Sequence, residues 1–290
     1  MGMSINTNLS ALNTYRNLNS TQNDLSKSLE KLSSGLRINR AADDAAGLSI
    51  SEGLKSQVGG LTVAARNAQD GISVVQTAEG GLTETHSILQ RMRDLAVQAG
   101  NDSNNADSRT AIKTEVTELQ KELTRISQST NFNGIKLLDG TASDQATGPG
   151  KLTFQVGANA GAASQIDVDL TGADVSKVAT ALTVGDGTGG TIAFDSATNA
   201  QAAITAIDAQ IKSVSTARSN LGAIQNRFDH AINVTNVAKE NLTAAGSRIT
   251  DVDMAEEMVK YTRDNILSQA GTSMLAQANQ STQGVLSLLR

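Results

Sequence analysis

The chain has 290 residues, including 25 glycines, one proline and no cysteine, and only 2% of its side chains are aromatic. With 39% apolar residues it is not a disordered composition, but its core must be built from Leu, Ile, Val and Ala, whose small side chains suit close helix packing. A net charge of −5 gives no reason to expect nucleic acid, the lack of cysteine excludes disulfide staples and thiolate metal sites, and no apolar run is long enough for membrane insertion.

The start, Met1-Gly2-Met3-Ser4-Ile5-Asn6, has neither a basic n-region nor an apolar h-region, so a cleavable signal peptide is not expected. Asn6 stands where the myristoylation pattern needs Ser or Thr. Over 4–39 the spacing Tyr15, Leu18, Gln22, Leu25, Leu29, Leu32, Leu36 predicts an amphipathic helix with one apolar stripe and a polar back. Gly35 and the segment 39–44 interrupt it, and Asp43 or Asp44 offers an N-cap for the next helix.

That helix is the longest feature of the sequence. From Leu54 to Gln98 a three-four alternation runs through Leu54, Val58, Leu61, Ala65, Ala68, Ile72, Val75, Ala78, Leu82, His86, Leu89, Arg93 and Ala96, the heptad seam of a helix packed on other helices. At about 1.5 Å per residue such a helix spans roughly 68 Å, more than an ordinary domain is wide, so it is expected to be one staff of an elongated rod. Its glycines (59, 60, 71, 80 and 81) each cost about 1 kcal/mol relative to Ala, so neighbouring helices must hold it; a kink would fall at Gly59-Gly60.

The segment 100–105 is a turn by composition, and Ile112, Val116, Leu119, Leu123 and Ile126 then predict a helix folding back antiparallel. Asn133-Gly134, between Phe132 and Ile135, is a hairpin signal. Between 141 and 196 the character changes. Leu152-Phe154-Val156 and Ile166-Val168-Leu170 alternate with polar residues like short strands, and two Lys against six Asp make this segment acidic, as expected of a small exposed module. Helical spacing returns with Ile204, Ile207, Ile211, Val214, Leu221, Phe228 and Ile232. A last helix starts near Asp251-Val252-Asp253, where Glu256 and Glu257 suit a helix N-terminus. From Asn265 to Leu289 there is no charge, and Leu267, Met274, Ala278, Val285 and Leu288 form a stripe.

The expected fold is mainly α: an elongated antiparallel helical bundle or coiled coil with both termini at one end and a small β-rich insert. The expected division is 1–44 with 254–290, 45–140 with 197–253, and an outer module at 141–196 that tolerates replacement. Leu18, Leu25, Leu29 and Leu32 at one end, and Leu267, Met274, Ala278, Val285 and Leu288 at the other, make stripes that one chain has no way to bury. They are the candidate interface of a homo-polymer. Isolated helices of this length are marginal in water, so the terminal arms are expected to order fully only on assembly.

Nothing in the sequence supports catalysis, a cofactor or a metal. His86 and His230 lie on separate helices without Cys and read as structural; 141–196 holds no His, and Gly-rich 185–190 lacks the Lys of a P-loop.

Several fragments together carry a resemblance. They are Ile5-Asn6-Thr7-Asn8, Leu32-Ser33-Ser34-Gly35-Leu36-Arg37-Ile38-Asn39, Asp43-Asp44-Ala45-Ala46-Gly47, Arg66-Asn67-Ala68-Gln69-Asp70-Gly71-Ile72-Ser73, Phe132-Asn133-Gly134, Ala270-Gly271-Thr272-Ser273 and Leu275-Ala276-Gln277-Ala278-Asn279. In this order and spacing they resemble bacterial flagellin over about 1–140 and 200–290. The resemblance implies a filament subunit for swimming motility, with terminal helices lining a core tube, and export through the flagellum's own apparatus to the cell exterior. It implies an export chaperone on the C-terminal helix, filament cap and junction proteins as partners, and a neutral polar lumen formed by the charge-free tail. The segment Gln90–Gln98 resembles the part of flagellin read by an animal Toll-like innate receptor, which would make Arg91, Leu95 and Glu115 contacts; protofilament packing is the plainer role of that segment. The alternatives are a hook–filament junction protein, with similar terminal helices, and a cytoplasmic signalling coiled coil, against which the middle β module argues.

Overall fold

The structure is a computed structural model that describes residues 8–142, 150–185 and 191–288, with side chains up to 280. The described residues form helices α1 (Leu9–Ser34), α2 (Ala45–Ala99), α3 (Ala106–Ser129), α4 (Val175–Ala181), α5 (Ala197–Thr250) and α6 (Met254–Leu288). Two antiparallel hairpins pair β1 (Asn131–Phe132) with β2 (Ile135–Lys136) and β3 (Lys151–Gln155) with β4 (Gln165–Asp169). The chain is mainly α with a small β component. It divides into two compact units, 57–240 and 1–56 with 241–290, so the boundaries fall inside α2 and α5.

In the larger unit α2 buries Ala64, Ala68, Gly71, Val75, Ala78, Leu82, Thr85, Leu89, Met92, Ala96 and Ala99, an unbroken four-three alternation. The sequence reading drifts off this phase by one residue at Ala65, Ile72, His86 and Arg93. Packing fixes the phase: Gly71 admits the Phe228 ring, Thr85 satisfies its hydroxyl on the Gly81 carbonyl at 2.8 Å, and Arg93 turns outward to Asp208 at 2.6 Å. From α5 come Ala203, Ile207, Val214, Ala217, Leu221, Ile224 and Phe228, and from α3 Ile112, Val116, Leu123 and Ile126. Asn105 caps α3 by accepting from the Ser108 N–H at 2.8 Å.

The middle segment is part of this core. Asn133 (φ 49°) and Gly134 (φ 81°) make the left-handed pair that a tight hairpin turn requires. In the second hairpin Leu152 faces Val168 and Phe154 faces Ile166. Phe154 meets Phe228 edge-on, with centroids 5.6 Å apart. Leu137, Leu138, Leu152, Ile166, Val168, Leu170, Val175, Val178, Leu182, Ile192 and Phe194 are buried in the same cluster as the helical seams. Along β4 the acidic side chains occupy the outer side, Asp167 and Asp169 alternating with buried Ile166 and Val168, while Asp174 is itself buried and caps α4 on the Lys177 N–H at 3.0 Å.

The smaller unit pairs α1 with α6. Asn8 caps α1 on the Ala11 N–H and donates its amide to the Ala278 carbonyl at 3.0 Å. At the opposite end Gly35 ends α1 in the left-handed conformation (φ 73°) and accepts from the Val252 N–H. Beside it the Arg37 guanidinium donates twice to the Ile249 carbonyl, at 3.1 and 2.7 Å. The two helices are therefore antiparallel. Asp44 is the cap of α2, accepting from the Gly47 N–H at 2.8 Å, while Asp43 holds the preceding turn through the Asn39 and Arg40 N–H groups. Asp253 caps α6 through the Ala255 and Glu256 N–H groups.

Candidate assembly surfaces

The inner line of α1 is Ala11, Thr14, Leu18, Thr21, Leu25, Ser28 and Leu32, and that of α6 is Glu257, Tyr261, Asp264, Ser268, Gly271, Leu275 and Ala278. Both alternate threes and fours, as two packed helices require. A Cβ on Gly271 would sit 3.1 Å from the Leu18 side chain, so glycine permits close approach here. This seam is poorly apolar. Among the described side chains of the unit, Ile38 is the one buried apolar residue.

The better apolar stripes face out. Leu9, Leu12, Tyr15 and Leu29 lie exposed along α1, and Met254, Met258, Val259, Ile266, Leu267 and Met274 along α6. The candidate residues thus separate. Leu18, Leu25, Leu32 and Ala278 are half-buried in the seam between the two helices, whereas Leu29 (55% exposed), Leu267 (51%) and Met274 (58%) face away from it. The side chains of Val285 and Leu288 lie outside the described residues. Tyr15 and Leu36, read from spacing as members of one stripe with Leu18 and Leu25, are on the outer side. The single predicted stripe of α1 is two interleaved ones, and its three-four spacing is compatible with either. Leu9, Leu12, Met258, Val259 and Ile266 were not singled out from sequence. Apolar neighbours such as Met258-Val259 and Ile266-Leu267 were the available signal, since adjacent positions cannot both face one partner helix.

In the larger unit the Arg91 Nε and Nη2 donate to Glu115 Oε1 at 2.9 and 2.6 Å, tying α2 to α3 through an exposed ion pair. Leu95 is 2% exposed and belongs to the core. Its distance from solvent separates it from Arg91 and Glu115 as a direct contact. Among the described residues no group of acidic or His side chains is arranged to hold a metal, and no helix is long and apolar enough to cross a membrane.

A thin two-helix unit drawn from both chain ends, almost coreless among its described side chains and carrying apolar stripes outward, has the character of a structural, surface-associating protein rather than of an enzyme site. Residues 5–143 match the family described as the bacterial flagellin N-terminal helical region, and 204–289 match the C-terminal helical region. The chain is 54% identical to a flagellin of Halalkalibacterium halodurans over 288 residues, covering 99% of this chain and 100% of that one. It is 49% identical to a flagellin of Bacillus subtilis over 304 residues, with 99% and 100% covered. A solved structure described as a flagellar hook-associated protein of Vibrio parahaemolyticus superposes with a TM-score of 0.55 over 72% of this chain and 100% of that one. At 14% identity this likeness shows the fold alone. The chain belongs to the bacterial flagellin family and is a structural subunit of the flagellar filament.

Proposed function

We propose that each subunit enters the filament by burying the outer stripes of α1 and α6 against neighbouring copies, so that the terminal pair forms the filament's core tube. The observation that carries this reading is the inverted distribution of apolar side chains. The α1–α6 seam uses Thr14, Thr21, Ser28, Glu257 and Asp264, while Leu12, Leu29, Ile266, Leu267 and Met274 are left in solvent. Each large aliphatic side chain fully buried contributes about 1.5–3 kcal/mol, so these stripes are a strong incentive to associate.

The reading places the subunit outside the cell, with an export chaperone covering the α6 stripe beforehand and cap and junction proteins meeting the same helices later. It assigns the chain no catalytic role. The Arg91–Glu115 pair serves protofilament packing first; of the three receptor-type residues, Arg91 and Glu115 are the ones a Toll-like receptor would reach.

The test is a variant carrying Leu267→Asp and Met274→Asp. Light scattering and electron microscopy after seeding or salting should show filaments from the parent and none from the variant, while circular dichroism shows the larger unit still helical. A variant that polymerises like its parent removes α6 from the interface.

A further inference from the structure

Three polar atoms of the smaller unit are buried without a hydrogen-bond partner: Ser28 Oγ, Glu257 Oε1 and Asp264 Oδ2. All three belong to the inner lines that α1 and α6 turn toward each other, and Glu257 and Asp264 lie seven residues apart on the same face of α6. Each of the two acids is more than nine-tenths buried. Asp264 Oδ1 lies 3.6 Å from the Arg263 Nε, but the second oxygen has no donor. A buried carboxylate with unmet acceptors opposes the fold that buries it, whereas leucine at the same seam position would favour it. The surrounding unit has little to set against this, because Ile38 is its one buried apolar side chain among the described residues.

We propose that Glu257 and Asp264 act as built-in brakes on the α1–α6 pair. They hold its closure in a single copy near the margin, so that stable pairing needs the additional burial of the outer stripes by neighbouring copies. The inference rests on the reading that filament assembly buries those stripes, and it names the residues that couple folding of the terminal pair to assembly. The distribution of chemistry fits such a role. Glu256, the neighbour of Glu257, is exposed and costs nothing, while Glu257 and Asp264 are turned into the seam at heptad spacing. Three of the six buried, unpartnered side-chain polar atoms found among the described residues fall in this one seam.

The experiment measures amide hydrogen exchange on the monomer, below the concentration at which it polymerises, for Glu257→Gln, Asp264→Asn and the double variant. Both substitutions keep shape and remove charge. Protection within 9–34 and 254–280 should rise about tenfold for each, the scale of exchanging one buried, incompletely paired charge for a neutral amide. Leucine at both positions should raise it further. Amides of the larger unit should not change, nor should those of Asp24→Asn, which removes an exposed acid from α1. Unchanged or lower protection in both neutral variants, with a parent that still forms filaments, overturns the brake and leaves the filament surface standing. A rise that extends equally to 64–99 also overturns it, since the effect would not be local to the seam. A parent that stays monomeric under seeding and salting overturns the filament reading and this inference with it.

Discussion

Gly71 and Gly80 stand on one helix and carry opposite expectations. A Cβ at Gly71 would lie 2.6 Å from the Phe228 ring, whereas at Gly80 it would meet open space. Gly71→Ala gains about 1 kcal/mol in helix propensity but overpacks the Phe228–Phe154 contact at a cost of about 1–3 kcal/mol, so it should lower the urea midpoint of the larger unit. Gly80→Ala should raise that midpoint by the equivalent of about 1 kcal/mol. Two carboxylates set a pH limit. The Thr171 hydroxyl holds Asp169 below the usual carboxylate range against the opposing effect of burial, with help from the Thr171 N–H and Lys151. At Asp139 burial pushes upward, but the Thr141 hydroxyl and N–H and Lys136 outweigh it. Both are depressed in the fold, so their stabilisation is present above the unfolded value of about 3.9 and is lost as pH falls through and below it. Acid unfolding followed by circular dichroism should therefore be less steep below about pH 4 for Asp169→Asn and Asp139→Asn than for the parent. Heptad membership was legible in the sequence at this scale, but its phase was not. Ala65 and Ala64, or His86 and Thr85, satisfy the spacing nearly equally, and only Phe228 seated over Gly71 decides between them.

At the scale of elements, the first hairpin, the two strands of the second and the long helices were legible, because Asn133-Gly134 and the alternation of Leu152-Phe154 and Ile166-Val168 have local causes; the pairing of those two strands was not. The role of 141–196 was not. Its charges suggested an exposed insert, yet a strand with one acidic side can bury the other, as β4 does. Helix α4 was missed because Val175–Ala181 is too short for a periodic signal. The consequence is testable. Replacing 141–196 with a Gly-Ser linker removes Leu152, Ile166, Val168, Val175, Val178 and Phe194 from the core. At about 1.5–3 kcal/mol each, the loss comes to roughly 9–18 kcal/mol, as large as the 5–15 kcal/mol that typically holds a domain together. The variant should melt far below the parent or fail to fold. A linker variant with parental melting temperature would show the helices self-sufficient.

At the scale of the molecule, the two units differ in kind. The buried apolar cluster is drawn entirely from 68–228, while the smaller unit has Ile38. Opening free energy should follow, so limited trypsin digestion of the monomer should cut first within α1 and α6 and leave a resistant fragment near 57–240. Equal cleavage rates in both units would contradict this. The function was legible because the fragments that carry the family resemblance lie in the helical ends. What stayed hidden was which face of each terminal helix serves its partner and which serves the next copy, since both carry apolar residues and only the paired structure assigns them.

The pairing of Asn8 with Ala278 joins residues 270 positions apart. A ribosome completes α1 about 220 residues before it begins α6, an interval of ten seconds or more at roughly 5–20 residues per second. During that time the larger unit can be synthesised and can fold, but Leu9, Leu12, Leu18 and Leu25 have no α6 to meet. The first helix of the chain is thus always born alone, with both of its stripes bare, and whatever handles the nascent protein meets it in that state.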